Sequence, residues 1–163
     1  MKRKRSFRRA QAGFSLTELL IVVAIIGILA AVAVPRLLET LRTGRESAAI
    51  QTLRTVHNSQ AQFQATKQRF ASLKELNEAN QIDTNYANGT PVSGYIYTSA
   101  AEVTQDKYCV QATRQAATTA SRDFNVIEDG AIRFVESKSP NPIPHGEGTP
   151  LAGAGAAAGS SAK

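Results

Sequence analysis

Cysteine is nearly missing from this chain. Cys109 stands alone among 163 residues, so no intramolecular disulfide can close and a small fold stapled by disulfides is excluded. Within its strand-like surroundings Cys109 reads as a buried thiol, with a reactive thiol as the competing reading. Tryptophan is absent and aromatic residues make up 6% of the chain, which limits any compact head to a modest core that must lean on a neighbouring element. Histidine is confined to His57 and His145. Neither has carboxylates or cysteines at ligand spacing, so the sequence offers no catalytic residues, no metal site and no cofactor. Asp123, Glu128, Asp129 and Glu136 are close in sequence, but hairpin acids are more often a solvated edge than a calcium site.

A surplus of one charge sign is also missing once the chain is divided. The formal net charge is +6, and Lys2, Arg3, Lys4, Arg5, Arg8 and Arg9 account for all of it. From Phe14 onward thirteen basic residues meet thirteen acidic ones, which gives no support to a basic face and no reason to expect a nucleic-acid partner.

What is present begins directly after the basic cluster. Residues 14–34 form an apolar run of 21 whose polar side chains are Ser15, Thr17 and Glu18. About 20 apolar residues at 1.5 Å each cross a bilayer core, and a positive flank is retained on the cytoplasmic side. A secretory signal peptide would have a shorter apolar core with its small cleavage residues beyond it. Here Ala12 and Gly13 precede the core, so a cut there removes residues 1–13 and leaves the apolar helix on the mature chain. Glu18 is the anomaly, because a carboxylate in hydrocarbon costs about 2.5 to 3.5 kcal/mol at the centre and less near an interface. Two readings stand. Glu18 can rest in the headgroup zone, where negative charge suits a helix start, or it can serve a function. A cut between Gly13 and Phe14 would create an amine within a helical turn of Glu18, and identical helices side by side could then pair each amine with a neighbour's carboxylate. Gly27 and Pro35 bracket the weakest part of the helix, since glycine costs about 1 and proline about 3 kcal/mol relative to alanine. Gly27 permits close helix contact, and Pro35 kinks the chain at the membrane exit.

The sequence Gly13-Phe14-Ser15-Leu16-Thr17-Glu18-Leu19-Leu20, with the apolar run that follows and Pro35 closing it, resembles the type IV pilin and type II secretion pseudopilin family, whose precursors carry a class III signal peptide. The resemblance covers residue 8 to about residue 53. It implies cleavage after Gly13 by a membrane-embedded aspartyl prepilin peptidase, which also N-methylates Phe14. It implies that Glu18 neutralises the Phe14 amine of an adjacent subunit during assembly, and that the stretch between Gly27 and Pro35 can lose helicity in the filament. The partners implied are further copies of the chain in a helical filament, the peptidase, an inner-membrane assembly platform and an outer-membrane secretin. The location implied is the bacterial inner membrane, then an extracellular pilus, or the periplasm for a pseudopilin. Thr17 departs from the apolar residue many relatives carry. The lone Cys109 departs from the pair that staples a carboxy-terminal loop in many Gram-negative pilins.

Beyond Pro35 the helical period continues. Leu38, Leu41, Ala49, Leu53, Val56, Phe63 and Phe70 recur at steps of 3, 4, 7 or 8 along one apolar stripe. Arg42, Arg45, Glu46, Gln51, Arg54, Gln60 and Gln64 read as the solvated face. An amphipathic continuation over residues 36–76 follows the membrane or filament-core segment 14–35. Residues 77–94, with Asn88-Gly89 and Pro91, form a connecting loop by composition, in which Tyr86 is expected to be exposed. The Asn88-Gly89-Thr90 acceptor pattern is too short to carry weight. Four strand-like runs follow at 95–98, 108–113, 124–128 and 131–136, the last two joined by the hairpin signal Asp129-Gly130. They make a small antiparallel head over 95–136 with Tyr108, Val110, Phe124, Val126, Ile132 and Phe134 on its apolar face. Residues 137–163, rich in Pro, Gly and Ala, read as a flexible tail. The fold expected is α+β, a long amino-terminal helix against a small antiparallel sheet, the type IV pilin fold. The function expected is a structural subunit of a type IV pilus. The alternatives are a type II secretion pseudopilin and an unrelated single-span protein displaying a soluble binding domain.

Overall fold

A computed structural model describes residues 14–99 and 103–151. The leader residues 1–13, Gly13 among them, and residues 152–163 of the expected tail lie outside the described residues. The chain forms two units, residues 1–39 and 40–163. The first consists, where described, of the apolar part of helix α1 (Leu16–Lys67), which contains Pro35. Proline removes one N–H and crowds the carbonyl four residues back, yet the helix runs through it. Ala30, Ala31 and Ala33 before Pro35 and Arg36, Leu37 and Leu38 after it are good helix formers.

The second unit is the head. Helix α2 (Leu73–Glu78) and the single turn α3 (Thr84–Ala87) lead into strands β1 (Tyr95–Ser99), β2 (Cys109–Arg114), β3 (Arg122–Ile127), β4 (Ile132–Glu136) and β5 (Thr149–Pro150). The strands pair antiparallel in the order β1-β2-β3-β4-β5. Gly130 at φ +72° closes the β3–β4 hairpin, as the Asp-Gly pair requires, and the Asp129 carboxylate accepts the Ala131 N–H at 2.8 Å. Ala49, Leu53, Val56 and Phe63 of α1 pack with Tyr95, Tyr97, Tyr108, Val110, Phe124, Val126 and Ile132 in one core. The apolar stripe and the sheet face read from the sequence thus meet, with Phe134 half-buried at the margin.

Four boundaries and surfaces differ from the sequence reading. The long helix stops at Lys67 and does not continue through residue 76. Gln68 enters the left-handed region at φ 58° while its N–H still bonds the Gln64 carbonyl, a helix ending that usually uses glycine. Ser72 and Glu75 then form a reciprocal capping box that starts α2. Part of the 77–94 loop is also regular, since Asp83 caps α3, and Tyr86 is half-buried edge-on against Tyr97 at 5.2 Å. The tail begins later than residue 137, because Ile143 is buried, Asn125 and Asp123 bond the segment, and β5 adds a fifth strand that the Pro/Gly composition hid. Finally, Glu46 and Gln60 are buried rather than solvated.

Both buried polar residues earn their place through hydrogen bonds. Gln60 exchanges two bonds with the Ala71 backbone, at 2.5 and 2.9 Å, and so imitates a strand neighbour for the turn after α1. The Glu46 carboxylate accepts the N–H groups of Ser121 and Arg122 at 3.0 and 3.2 Å and holds the Arg122 guanidinium at 2.8 and 2.5 Å. Arg42 and Arg45 donate to the Thr118 and Thr119 carbonyls of the same turn. Removing a buried partner leaves these donors unmatched. Glu46→Ala is expected to lower the stability of the head by about 3 kcal/mol, read as a fall in the thermal midpoint of the detergent-solubilised chain. A change within error would show that the ion pair is dispensable.

Candidate assembly site

The functional residues read from the sequence lie at the start of α1. Phe14 is 75% exposed. Glu18 stands one turn into the helix and its Oε2 accepts the Ser15 N–H at 2.9 Å, which is the glutamate half of a capping box. The carboxylate therefore sits over the free N–H groups of the first turn, the arrangement the helix dipole favours. Gly27 and Pro35 both lie inside the continuous helix, and a Cβ added at Gly27 would meet no atom within 4 Å.

The surface around Glu18 is apolar on all sides. Sixteen large apolar side chains from Phe14 to Leu41 are exposed, the least of them, Val22, by 44%. An 18-residue window of the helix has a mean hydropathy of 2.7 with none of it buried, so the segment is long and apolar enough to cross a membrane. Isolated apolar side chains on a surface are ordinary, but a contiguous set of this size marks a face that meets lipid or protein.

The sheet, by contrast, offers edges that are short or partly occupied. At the β1 edge, Val92 and Tyr95 exchange backbone bonds at 2.8 and 3.0 Å, and Ser99 Oγ accepts the Leu73 N–H. At the other edge Pro150 has no N–H to offer. Short edges and edge proline discourage strand addition.

The acids considered for calcium are engaged elsewhere. Asp123 is buried and accepts the Arg114 N–H at 2.8 Å. Glu128 Oε2 lies 2.8 Å from His145 Nε2, and Asp129 pairs with Arg133. Among the described residues no three His, Cys, Asp or Glu side chains cluster as a metal would need.

Comparison with known proteins bears on this surface directly. Residues 8–34 match the family described as the prokaryotic N-terminal methylation motif. The type IV major pilin protein PilA of Myxococcus xanthus is 38% identical over 76 residues, covering 47% of this chain, and the match spans about a third of that protein (32%). A fimbrial protein of Pseudomonas aeruginosa is 33% identical over 133 residues, covering 80% of this chain and 82% of that protein. The chain belongs to the type IV pilin family. A second fimbrial protein from the same organism gives the same figures. The α+β architecture is the type IV pilin fold, and the pilin family is structural rather than enzymatic. The matched motif spans the apolar run and Glu18, so the exposed face and the family signature coincide.

Sequence reasoning missed the residue that joins α1 to the hairpin. His57 has no carboxylate or cysteine at ligand spacing, yet its Nδ1 lies 2.6 Å from the Tyr108 hydroxyl and its ring stacks on Tyr108. The imidazole also abuts the hairpin turn, so a Cβ at Gly130 would come 2.7 Å from Nε2. A signal existed in the glycine of Asp129-Gly130, but nothing local tied residue 57 to residue 130. Burial depresses the His57 pKa below 6.5, opposed by nearby Asp129, and burial pushes the Tyr108 hydroxyl up. A depressed folded-state pKa means the unfolded chain takes up protons first. Stability from the neutral ring is therefore fully present above about pH 6.5 and is lost as pH falls through the folded value. The thermal midpoint of the head is expected to decline across that window, and His57→Gln to flatten the decline; an identical slope in the variant would assign the effect to another group.

Proposed function

We propose that this chain is the structural subunit of a type IV pilus, polymerising through its amino-terminal helix after cleavage between Gly13 and Phe14 and N-methylation of Phe14. The observation that carries the proposal is the uncovered apolar face with a single carboxylate near its start. Removal of residues 1–13 discards every net positive charge of the chain and frees the Phe14 amine beside Glu18. In the full-length chain Glu18 caps the Ser15 N–H; in a bundle of copies the same carboxylate would neutralise an adjacent amine. An unpaired charge in an apolar bundle is costly, so the pairing would fix axial register while apolar packing supplies cohesion.

The short, partly occupied sheet edges favour a filament built through helices over one built by strand addition. The weak stretch between Gly27 and Pro35 would let the helix yield inside such a filament. Before assembly the subunit would lie in the inner membrane, served by a prepilin peptidase, an inner-membrane platform and an outer-membrane secretin.

Mass spectrometry of the amino terminus in a sheared cell-surface fraction tests the reading. An abundant species beginning at methylated Phe14 is expected there. Processed protein confined to the membrane would instead indicate a type II secretion pseudopilin, and an intact Met1 leader would refute processing altogether. Glu18→Ala should be cleaved normally yet yield about tenfold fewer filaments, the factor that corresponds to ~1.4 kcal/mol per added subunit. Gly13→Leu should accumulate uncut in the membrane fraction; normal filaments from either variant would contradict the roles given to these residues.

A further inference from the structure

Strand alternation sends Val110, Ala112, Phe124 and Val126 toward α1, and therefore sends Cys109, Gln111, Asn125 and Ile127 to the opposite face. Residues 139–147 cross that second face. Gln111 Nε2 donates to the Ile143 carbonyl at 2.8 Å, and Asn125 Nδ2 donates to the Pro144 carbonyl at 3.0 Å. The Asn141 N–H donates to Asp123 Oδ2 at 3.0 Å. On the same face of the sheet Cys109 and Ile127 are buried, as is Ile143 in the crossing segment. None of the three belongs to the core under α1. The head therefore has a thin second layer, attached by side-chain amides and a carboxylate.

That attachment is polar and incomplete. The Arg114 guanidinium donates to the Ser137 and Ser139 carbonyls at 2.6 and 2.7 Å. Its Nε and Asn125 Oδ1 are nevertheless buried with no hydrogen-bond partner among the described residues. A buried polar atom without a partner has given up water for nothing, so the docked segment is less stable than its bond count suggests. Of residues 139–147 only Ile143 is buried, and segments with few apolar contacts open well below the free energy of global unfolding. No disulfide restrains the segment, since the chain has one cysteine.

We infer that residues 139–147 act as a hydrogen-bonded latch, which lifts from the sheet while the α1-side core stays folded and so uncovers Cys109 and the amide face of Gln111 and Asn125. The closed latch holds Cys109 inert, because burial also pushes its thiol up to about 11 and the thiolate is the nucleophile. The open latch offers a reversible face that a covalently stapled loop would never expose.

Cys109 is its own reporter. The detergent-solubilised full chain is treated with iodoacetamide, whose carbon forms a thioether with Cys109 Sγ as iodide and the thiol proton leave, and intact mass counts the product over time. Alkylation is expected to proceed in native buffer faster than global unfolding and with little denaturant dependence. Asn125→Ala is expected to speed it about tenfold, the effect of losing hydrogen bonds of ordinary strength, with a nearly unchanged thermal midpoint. Alkylation that tracks global unfolding in both proteins would overturn the latch. Because Asn125→Ala could misfold, hydrogen exchange of the unmodified chain gives a second reading. Residues 139–147 should exchange before β3, and equal protection of the two would refute local opening.

Discussion

An apolar helix surface left exposed among the described residues is the constraint on which everything else depends. Sixteen exposed large side chains cannot remain in water at a tolerable free energy, since each buried Leu or Ile side chain is worth roughly 1.5 to 3 kcal/mol. The first unit therefore needs either lipid or copies of itself. Both media are apolar, and a helix that suits one suits the other.

The head answers a different problem, how a small sheet with few aromatics stays folded. It borrows the second half of α1 as its cover, and the Glu46 carboxylate fixes the contact by matching two backbone N–H groups and the Arg122 guanidinium. His57 ties the same helix to Tyr108 just before β2 and abuts Gly130 of the β3–β4 hairpin. Polar groups thus set the position of the helix on the sheet, while Leu53, Val56 and Phe63 supply the burial. Apolar contact alone is non-directional and would tolerate a helix slid along the sheet. The Arg114 and Asp123 pair plays a comparable part on the far side, where it gathers the β2–β3 turn and the chain after β4.

The helix and four of the five strands were legible because their signals are periodic and local. The Asp129-Gly130 hairpin needed two residues, and the apolar run needed only length. The ends of elements were not legible. Gln68 closes α1 in a conformation that its side chain does not advertise, and Thr149–Pro150 pairs as a strand only because Phe134 and Arg133 lie alongside it. Glu46 and Gln60 were misread as solvated for a related reason. Their partners, Arg122 and Ala71, are fixed by the fold, and a charged or amide side chain looks the same in sequence whether it faces water or a buried donor.

By itself the sequence determined the apolar amino-terminal helix of this protein: a basic cluster, Gly13-Phe14, Glu18 and a 21-residue apolar run before Pro35 are read from order and spacing alone. Tertiary structure alone decided which polar residues are structural. Glu46, His57, Arg114 and Asn125 acquire their roles from groups between 18 and 76 residues away. Local periodicity encodes which face is apolar, but a hydrogen bond needs a partner at a defined distance and angle, and only the folded chain supplies both.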